Sequence, residues 1–443
     1  MDRSKFLKLS SLAAMGWIIG PSLVACSKNT LFENPNYKGK VLIIGAGAAG
    51  LYAGYLLQSL GIDFQILEAR NIYGGRMGKF EGLSDYTVDT GAQWLHGNNS
   101  ILADLVKKSK TKITNDTSEN TYWFQNQLVK TLPKDIEIFD KEGLPDISIE
   151  DYALQQGFGS EYKFIVESLA GDQGADASQL SAYWNHKDEE NWVAGDDDFK
   201  FKDTYFHFID QNIAQPILPK IQLNAPIDGI DYTVDKLQVK LKSGTILEAD
   251  KVIVTVPISI LKLNEISFSP ALPTAKTEAF QKIGMGPGMK VFLRFSTKFY
   301  EDFVLGGSIC AAYADDTVGK TTNDNVLLAF IMGEQAAYLS GLGSDAAIIQ
   351  ALLAELDLMY NNQASLNFLN GVVFDWTKEP YIKGAYGFST INMGEARKIA
   401  TQPIDNKLFF AGEAMNINGH HQTVHGAVES AYKAVNDLIL NLK

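Results

Sequence analysis

Cysteine is nearly missing from this chain. Its 443 residues hold two, Cys26 and Cys310, too few for an internal disulfide framework. Positive charge is also short. There are 39 Lys and Arg against 52 Asp and Glu, a net charge of −13. No basic stripe offsets that balance, which argues against a nucleic-acid partner. An acidic surface near a binding mouth favours cationic substrates instead. Internal repeats and long low-complexity tracts are absent. No Ser-His-Asp arrangement or pair of carboxylates stands out, so the usual hydrolytic chemistries find no support. What is present, 46% hydrophobic and 21% charged residues, suits a globular protein of two or more lobes.

The most informative stretch is Lys40 to Met77, KVLIIGAGAAGLYAGYLLQSLGIDFQILEARNIYGGRM. Val41 to Ile44 is a short apolar run suited to a buried parallel strand. Gly45, Gly47 and Gly50 follow as GxGxxG, and Ala48 to Leu60 reads as a helix. The glycines permit a tight turn and close approach to a pyrophosphate, while the helix start supplies amide donors and a positive dipole end. Glu68 ends the next strand and is placed to accept hydrogen bonds from a ribose. This fingerprint indicates a dinucleotide without choosing between NAD and FAD.

The residues after it narrow the choice. Glu68-Ala69-Arg70 followed by Gly74-Gly75-Arg76 resembles the flavin amine oxidase family, which includes monoamine and polyamine oxidases. The resemblance implies FAD, with Arg70, Gly75 and Arg76 beside its diphosphate. A guanidinium fork matches phosphate oxygens. Four further islands carry the likeness. Gly91-Ala92-Gln93-Trp94-Leu95-His96-Gly97 is similar to the segment beneath the flavin of polyamine oxidases, which implies cofactor contacts for Gln93 and Trp94 and a pocket role for His96. Lys290, in Gly288-Met289-Lys290-Val291-Phe292, matches the family lysine that holds a water at flavin N5 and assists reaction with oxygen. Trp376-Thr377-Lys378-Glu379-Pro380-Tyr381-Ile382-Lys383-Gly384-Ala385-Tyr386 matches the polyamine oxidase pattern. Monoamine oxidases carry a flavin-linking cysteine where Ala385 stands, so the implied FAD is noncovalent. Trp376 would border the cofactor, and Tyr386 would line the amine approach. Ala411-Gly412-Glu413 and His420 to Ala427 form the last island. It implies cofactor contacts for Gly412, Glu413, Thr423 and Val424, with a terminal helix aimed at flavin N1 and O2. Ile227 joins the cofactor set, and Val252 to Val256 would be a buried strand ending near the adenosine half. Thr423 stands where monoamine oxidases have a second tyrosine, which favours a polyamine-oxidase-like tunnel.

One departure from the family lies at Lys202-Asp203-Thr204-Tyr205, where polyamine oxidases have a glycine-rich turn. It bears on the pocket wall. His420 and His421 invite a metal reading, but adjacent histidines do not share a helical face, and no carboxylate or cysteine spacing completes a site. No metal is expected.

The N-terminus reads as an export signal. Arg3, Lys5 and Lys8 precede an apolar stretch from Leu12 to Val24 that is short for a membrane span and contains Pro21. Leu23-Val24-Ala25-Cys26 resembles a bacterial lipoprotein box, which implies cleavage before Cys26 and lipid on its sulfur. Asp2 to Lys8 is similar to a twin-arginine signal with Ser4 in place of the second arginine, so the route is open between that and the general one. The expected product is a membrane-anchored lipoprotein outside the cytoplasm.

Further along, residues 101–223 read as mostly helical. Asp231 to Pro257 alternates like strands joined by tight turns. Met289–Phe295, Val326–Met332 and Val372–Trp376 read as strands of a second sheet, with an amphipathic helix from Asp345 to Tyr360. Leu408 to Gly412 reads as a buried strand leading to a helix over Val424 to Leu440. The implied fold is α/β: a Rossmann-like FAD-binding domain with a discontinuous α+β substrate domain. The expected division is signal 1–25, linker 26–38, FAD-binding 39–100, 224–288 and 400–443, and substrate 101–223 and 289–399.

The resemblance implies oxidation of a primary or secondary amine, polyamine-like, by hydride transfer from its α-carbon to flavin N5. Imine hydrolysis follows, and O2 accepts the electrons as H2O2. The alternatives are an L-amino acid oxidase, a flavin dehydrogenase passing electrons to a quinone or carrier, and a catalytically silent FAD-binding protein. Which amine is oxidised and what the oligomeric state is are not readable.

Overall fold

Alternate residues of the strand Lys40–Ile44 (β1) enter two different cores. Val41 and Ile43 face one apolar cluster, while Leu42 and Ile44 face another. A strand buried on both faces has to be apolar throughout, hence the unbroken run VLII. Each such side chain contributes roughly 1.5–3 kcal/mol by burial, so a charge at Ile43 would undo the centre of the sheet. The structure is a computed structural model and describes residues 35–134, 136 and 142–442. The proposed signal segment and Cys26 lie outside the described residues.

Around β1 a five-stranded parallel sheet assembles from distant stretches. Helix Ala48–Ser59 (α1) leads to strand Asp63–Leu67 (β2). Ile221–Gln222 (β3) flanks β2, and Lys251–Val254 (β4) lies on the other side of β1. Leu408–Phe410 (β5) pairs with β4, giving the order β3-β2-β1-β4-β5. β3 lies just ahead of residue 224, where the sequence reading resumes the cofactor domain. The final helix, Val424–Leu440 (α2), packs with α1 on one face of the sheet through Leu51, Leu57, Val428, Val435 and Leu438. The other face is covered by a four-stranded sheet of Ile227–Asp231, Leu237–Leu241, Ile246–Ala249 and Ser267–Ser269.

The second large sheet has seven strands, in the order Phe368–Asp375, Gly288–Phe295, Asn325–Met332, Ala312–Asp315, Phe303–Leu305, Asn120–Phe124 and Gln127–Val129. Period two again decides direction. Met289, Val291, Leu293 and Phe295 enter a core with Ile348, Leu352 and Leu356 of helix Asp345–Met359. Lys290 and Phe292 therefore point to the opposite face.

Residues 101–223 are less helical than their sequence reads. Helices span Ile101–Ser109, Ile149–Gln155, Lys163–Asp172 and Ala182–Glu190. Two strands from this region, however, complete the edge of the seven-stranded sheet. Asp198–Phe201 joins Trp94–His96 and Ile113–Asn115 in a three-stranded sheet. Strands of three to five residues carry little periodicity, and their partners lie far off in sequence. Among the described residues, no helix is long and apolar enough to cross a membrane.

Candidate cofactor and active site

The β1–α1 turn and the Gly74–Gly75 turn are built against each other. The Gly74 amide donates to the Ala46 carbonyl at 2.8 Å. Gly75 has φ +61°, and a Cβ there would lie 3.0 Å from the Gly47 Cα. Gly47 caps α1 without any side-chain hydrogen bond, so the first amides of the helix face the adjoining space unoccupied by a cap. Gly50 works differently. It does not border that space; a Cβ there would sit 1.9 Å from the Gly45 carbonyl oxygen, so it allows the helix to lie close to the turn.

These turns open into a cavity of about 990 Å³ running between the two large sheets. Gly45, Gly47, Glu68, Arg70, Gly75, Arg76, Ile227, Gly412 and Glu413 line one end. Gln93, Trp94, His96, Lys290, Trp376, Tyr386, Thr423 and Val424 line it further along. Of the predicted cofactor-binding and catalytic residues within the described region, only Gly50 stands back from it.

Glu68 is buried at the end of β2. Its two carboxylate oxygens accept from the backbone amides of Ala46 at 2.8 Å and Arg70 at 2.9 Å, and a carboxylate has further lone pairs for a ligand hydroxyl. Arg76 donates to Glu413 at 2.6 Å and to the Ala385 carbonyl at 2.7 Å. Glu413 is buried. Burial pushes its carboxyl up, but Arg76 and the amides of Gly387 and Gln422 outweigh that and hold it below the ordinary range. Its role is first to anchor Arg76 and these two loops. Thr423 caps α2, accepting from the Gly426 amide at 2.9 Å, with Val424 and Ala427 on the cavity wall.

Lys290 is buried. Its ammonium donates to Gln93 Oε1 and, at 3.3 Å, to the Asp89 carbonyl. Gln93 in turn donates to Asp316 Oδ1 at 3.3 Å, and Tyr86 donates to Asp316 Oδ2 at 2.7 Å. Burial drives Lys290 below the ordinary lysine range, opposed by the Asp316 and Asp89 carboxylates. Burial drives Asp89 upward, opposed by Lys320 and Lys290. Trp94 packs edge-on to Phe330 and donates to Asp116 at 2.8 Å. Trp376 donates to the Thr90 carbonyl at 2.9 Å. Tyr386 donates to the Asp172 carbonyl at 2.9 Å, which fixes its ring against the cavity.

Three arrangements escape the sequence reading. His96 Nδ1 lies 2.6 Å from Asp198 Oδ1 across 102 residues. A carboxylate does come to the histidine pair region: His420, His425 and Glu429 offer ligand atoms within 4.8 Å of one another. The expectation that no carboxylate approaches is corrected here, because α2 carries Glu429 back one turn beside His425. The polarity of the group is set by its hydrogen bonds. The Val193 amide donates to His420 Nε2 at 3.2 Å, so Nδ1 bears the proton and donates to Glu429 at 2.9 Å. Finally, Thr204 caps the helix Tyr205–Ile209, and the Tyr205 amide donates to Asp89 at 2.9 Å. The Lys202–Tyr205 departure is thereby tied to Asp89 and does not border the cavity.

The family model for flavin containing amine oxidoreductases matches residues 48–196 and 207–439. The chain belongs to that family. Lysine-specific histone demethylase 2 of Homo sapiens is 30% identical over 450 residues, covering 91% of this chain and 54% of its own length. The chain thus spans about half the length of the histone demethylases it matches. Polyamine oxidase 4 of Oryza sativa subsp. japonica is 26% identical, covering 90% and 88%. Among solved structures, cyclohexylamine oxidase from Brevibacterium oxydans superposes with TM-score 0.77 at 20% identity, over 92% of this chain and 100% of that one. Putrescine oxidase bound to putrescine superposes with TM-score 0.76 at 19% identity, over 91% and 99%. The fold is the two-domain fold of these flavoproteins.

The cavity fits the family's cofactor on its own chemistry. An uncapped helix start, a buried carboxylate at the end of β2 and glycines at the close approaches suit a dinucleotide. The cofactor is FAD. Ala385 lines the same cavity and offers no nucleophile, so the flavin is held without a covalent bond.

Proposed function

We propose that this chain is an FAD-dependent oxidase of primary or secondary amines, acting on an extended aliphatic amine with a second cationic group. One observation carries the substrate class. Beyond Tyr386 and His96 the cavity wall holds Asp116, Glu119, Asp172, Asp188, Glu189 and Asp196 to Asp198. This excess of carboxylates on the wall favours a polycation. FAD, when bound, supplies the two-electron acceptor for hydride from the amine α-carbon at flavin N5 and the carrier that passes those electrons to O2 as H2O2. The protein's part is to bind and align the amine, shed its proton, and hold Lys290 and its water where oxygen reacts. Released imine hydrolyses to aldehyde and amine.

The test is anaerobic flavin bleaching by spermine, spermidine, phenylethylamine and several L-amino acids. Faster bleaching by either polyamine is the expected result. Faster bleaching by phenylethylamine or an amino acid would overturn the substrate class. Oxygen consumption then separates an oxidase from a dehydrogenase. Export as a Cys26-anchored lipoprotein is part of the same proposal, supported by the N-terminal sequence alone.

A further inference from the structure

We infer that Asp198 and His96 act as a paired base that takes the proton from the substrate ammonium before hydride leaves its α-carbon. The inference rests on the amine-oxidising reading above. It starts from strand register. Trp94–His96 and Asp198–Phe201 pair antiparallel, with His96 directly opposite Asp198. Side chains at opposed positions share one face of the ladder, and here Asp198 Oδ1 reaches His96 Nδ1 at 2.6 Å. A carboxylate only accepts, so in the neutral imidazole the proton sits on Nδ1 and the lone pair is left on Nε2. Among the described residues, no hydrogen bond engages Nε2, and His96 borders the cavity. Trp192 holds the ring edge-to-face at 6.3 Å.

The chemistry requires such a group. An alkylammonium, with a pKa near the lysine value of about 10.4, arrives protonated, and hydride departs from carbon only when nitrogen has its lone pair. The step balances simply. One N–H bond of the ammonium breaks, an Nε2–H bond forms, and the positive charge passes to the imidazolium. Asp198, already in contact, stabilises that charge without rearrangement. The other charged neighbours do not oppose it. Asp197 lines the same wall, Lys200 is paired with Asp116 at 3.2 Å, and burial holds His425 of α2 far below the ordinary histidine range, hence neutral. Asp198 is a positioning residue and His96 the group that meets substrate.

The experiment uses holoenzyme with 15N-labelled histidine and four forms: parent, His96→Asn, Asp198→Asn and Asp198→Glu. Flavin content and melting temperature verify that each is folded. In the parent, the His96 ring should show the Nδ1–H tautomer, lost in Asp198→Asn. Anaerobic flavin reduction by saturating spermine should fall about 100-fold at pH 7 in His96→Asn and Asp198→Asn. The deficit should close toward pH 10, where the amine arrives neutral, and Asp198→Glu should recover most of the rate. An Nε2–H tautomer in the parent, or variants that track its pH profile, would overturn the inference. Bleaching with unmoved pH profiles sinks the paired base alone, whereas no bleaching of the parent by any amine sinks the amine-oxidising reading beneath it.

Discussion

Lys290 and Asp316, both buried, are joined through a single amide. Gln93 accepts from Lys290 and donates to Asp316 at 3.3 Å. The amide cannot turn over, since that would set its NH2 against an ammonium and its oxygen against a carboxylate. Lys290 is thereby fixed in direction from two strands away.

Lys290→Met should slow reoxidation of reduced flavin by about 100-fold, the scale of losing one preorganised donor, with a smaller effect on amine oxidation. Burial lowers the lysine, so its charged form is lost on raising pH below the ordinary lysine value. Parent reoxidation should therefore decline as pH rises through that point, and the variant should be flat. Stopped-flow traces of the two half-reactions measure both; unchanged reoxidation would leave Lys290 a packing residue.

Acid or heat denaturation should release free yellow FAD, because Ala385 cannot form a thioether. Flavin that precipitates with the chain would contradict the noncovalent site. Glu68→Ala should weaken FAD retention by roughly 1.5–3 kcal/mol, the value of hydrogen bonds to a charged group, read from reconstitution of the apoprotein.

His421 gives stability a pH dependence. Burial, aided by Arg397 and opposed by Asp188 and Glu413, holds it down to about 4, against about 6.5 in the unfolded chain. The unfolded state binds the proton first as pH falls. The contribution of up to about 3 kcal/mol is complete above pH 6.5 and is lost between 6.5 and 4. Melting temperature should drop across that window, and His421→Asn should flatten the drop in part, with His425 supplying the remainder. An unchanged slope in the variant would show that His421 does not titrate this way.

Cys26→Ser should turn a membrane-bound protein into an unprocessed or unanchored one. Identical fractionation and migration of the two would refute the lipoprotein reading.

Legibility from sequence followed chain distance. The βαβ unit from β1 to Glu68 was readable because strand, turn, helix and acid lie within one local stretch. Lys290 was readable as a candidate through its motif, and its inward direction follows from the alternation of Met289 to Phe295. The partners were not readable. Asp198 sits in a run of three acids that interrupts a stretch read as mostly helical, and only strand pairing sets it against His96. Asp316 has no local mark either, since Gln93 reaches it from 223 residues away. Glu429 carries no local mark, and only the turn before Thr423 brings His420 over it. Strands at Asn120–Phe124 and Asp198–Phe201 were missed for the same reason: each is defined by the strands it meets.

The five-stranded sheet has a consequence for the order of events during synthesis. Its first three strands in the chain leave the ribosome by residue 222, but β5 and the cap of α2 come only after residue 408. Thr423, Val424 and Glu413 close the cavity from that last stretch. A nascent chain therefore holds an open half-site until the stretch from Leu408 to Val424 has been made. A stop ahead of Glu413 yields a product that lacks one wall of its cofactor chamber.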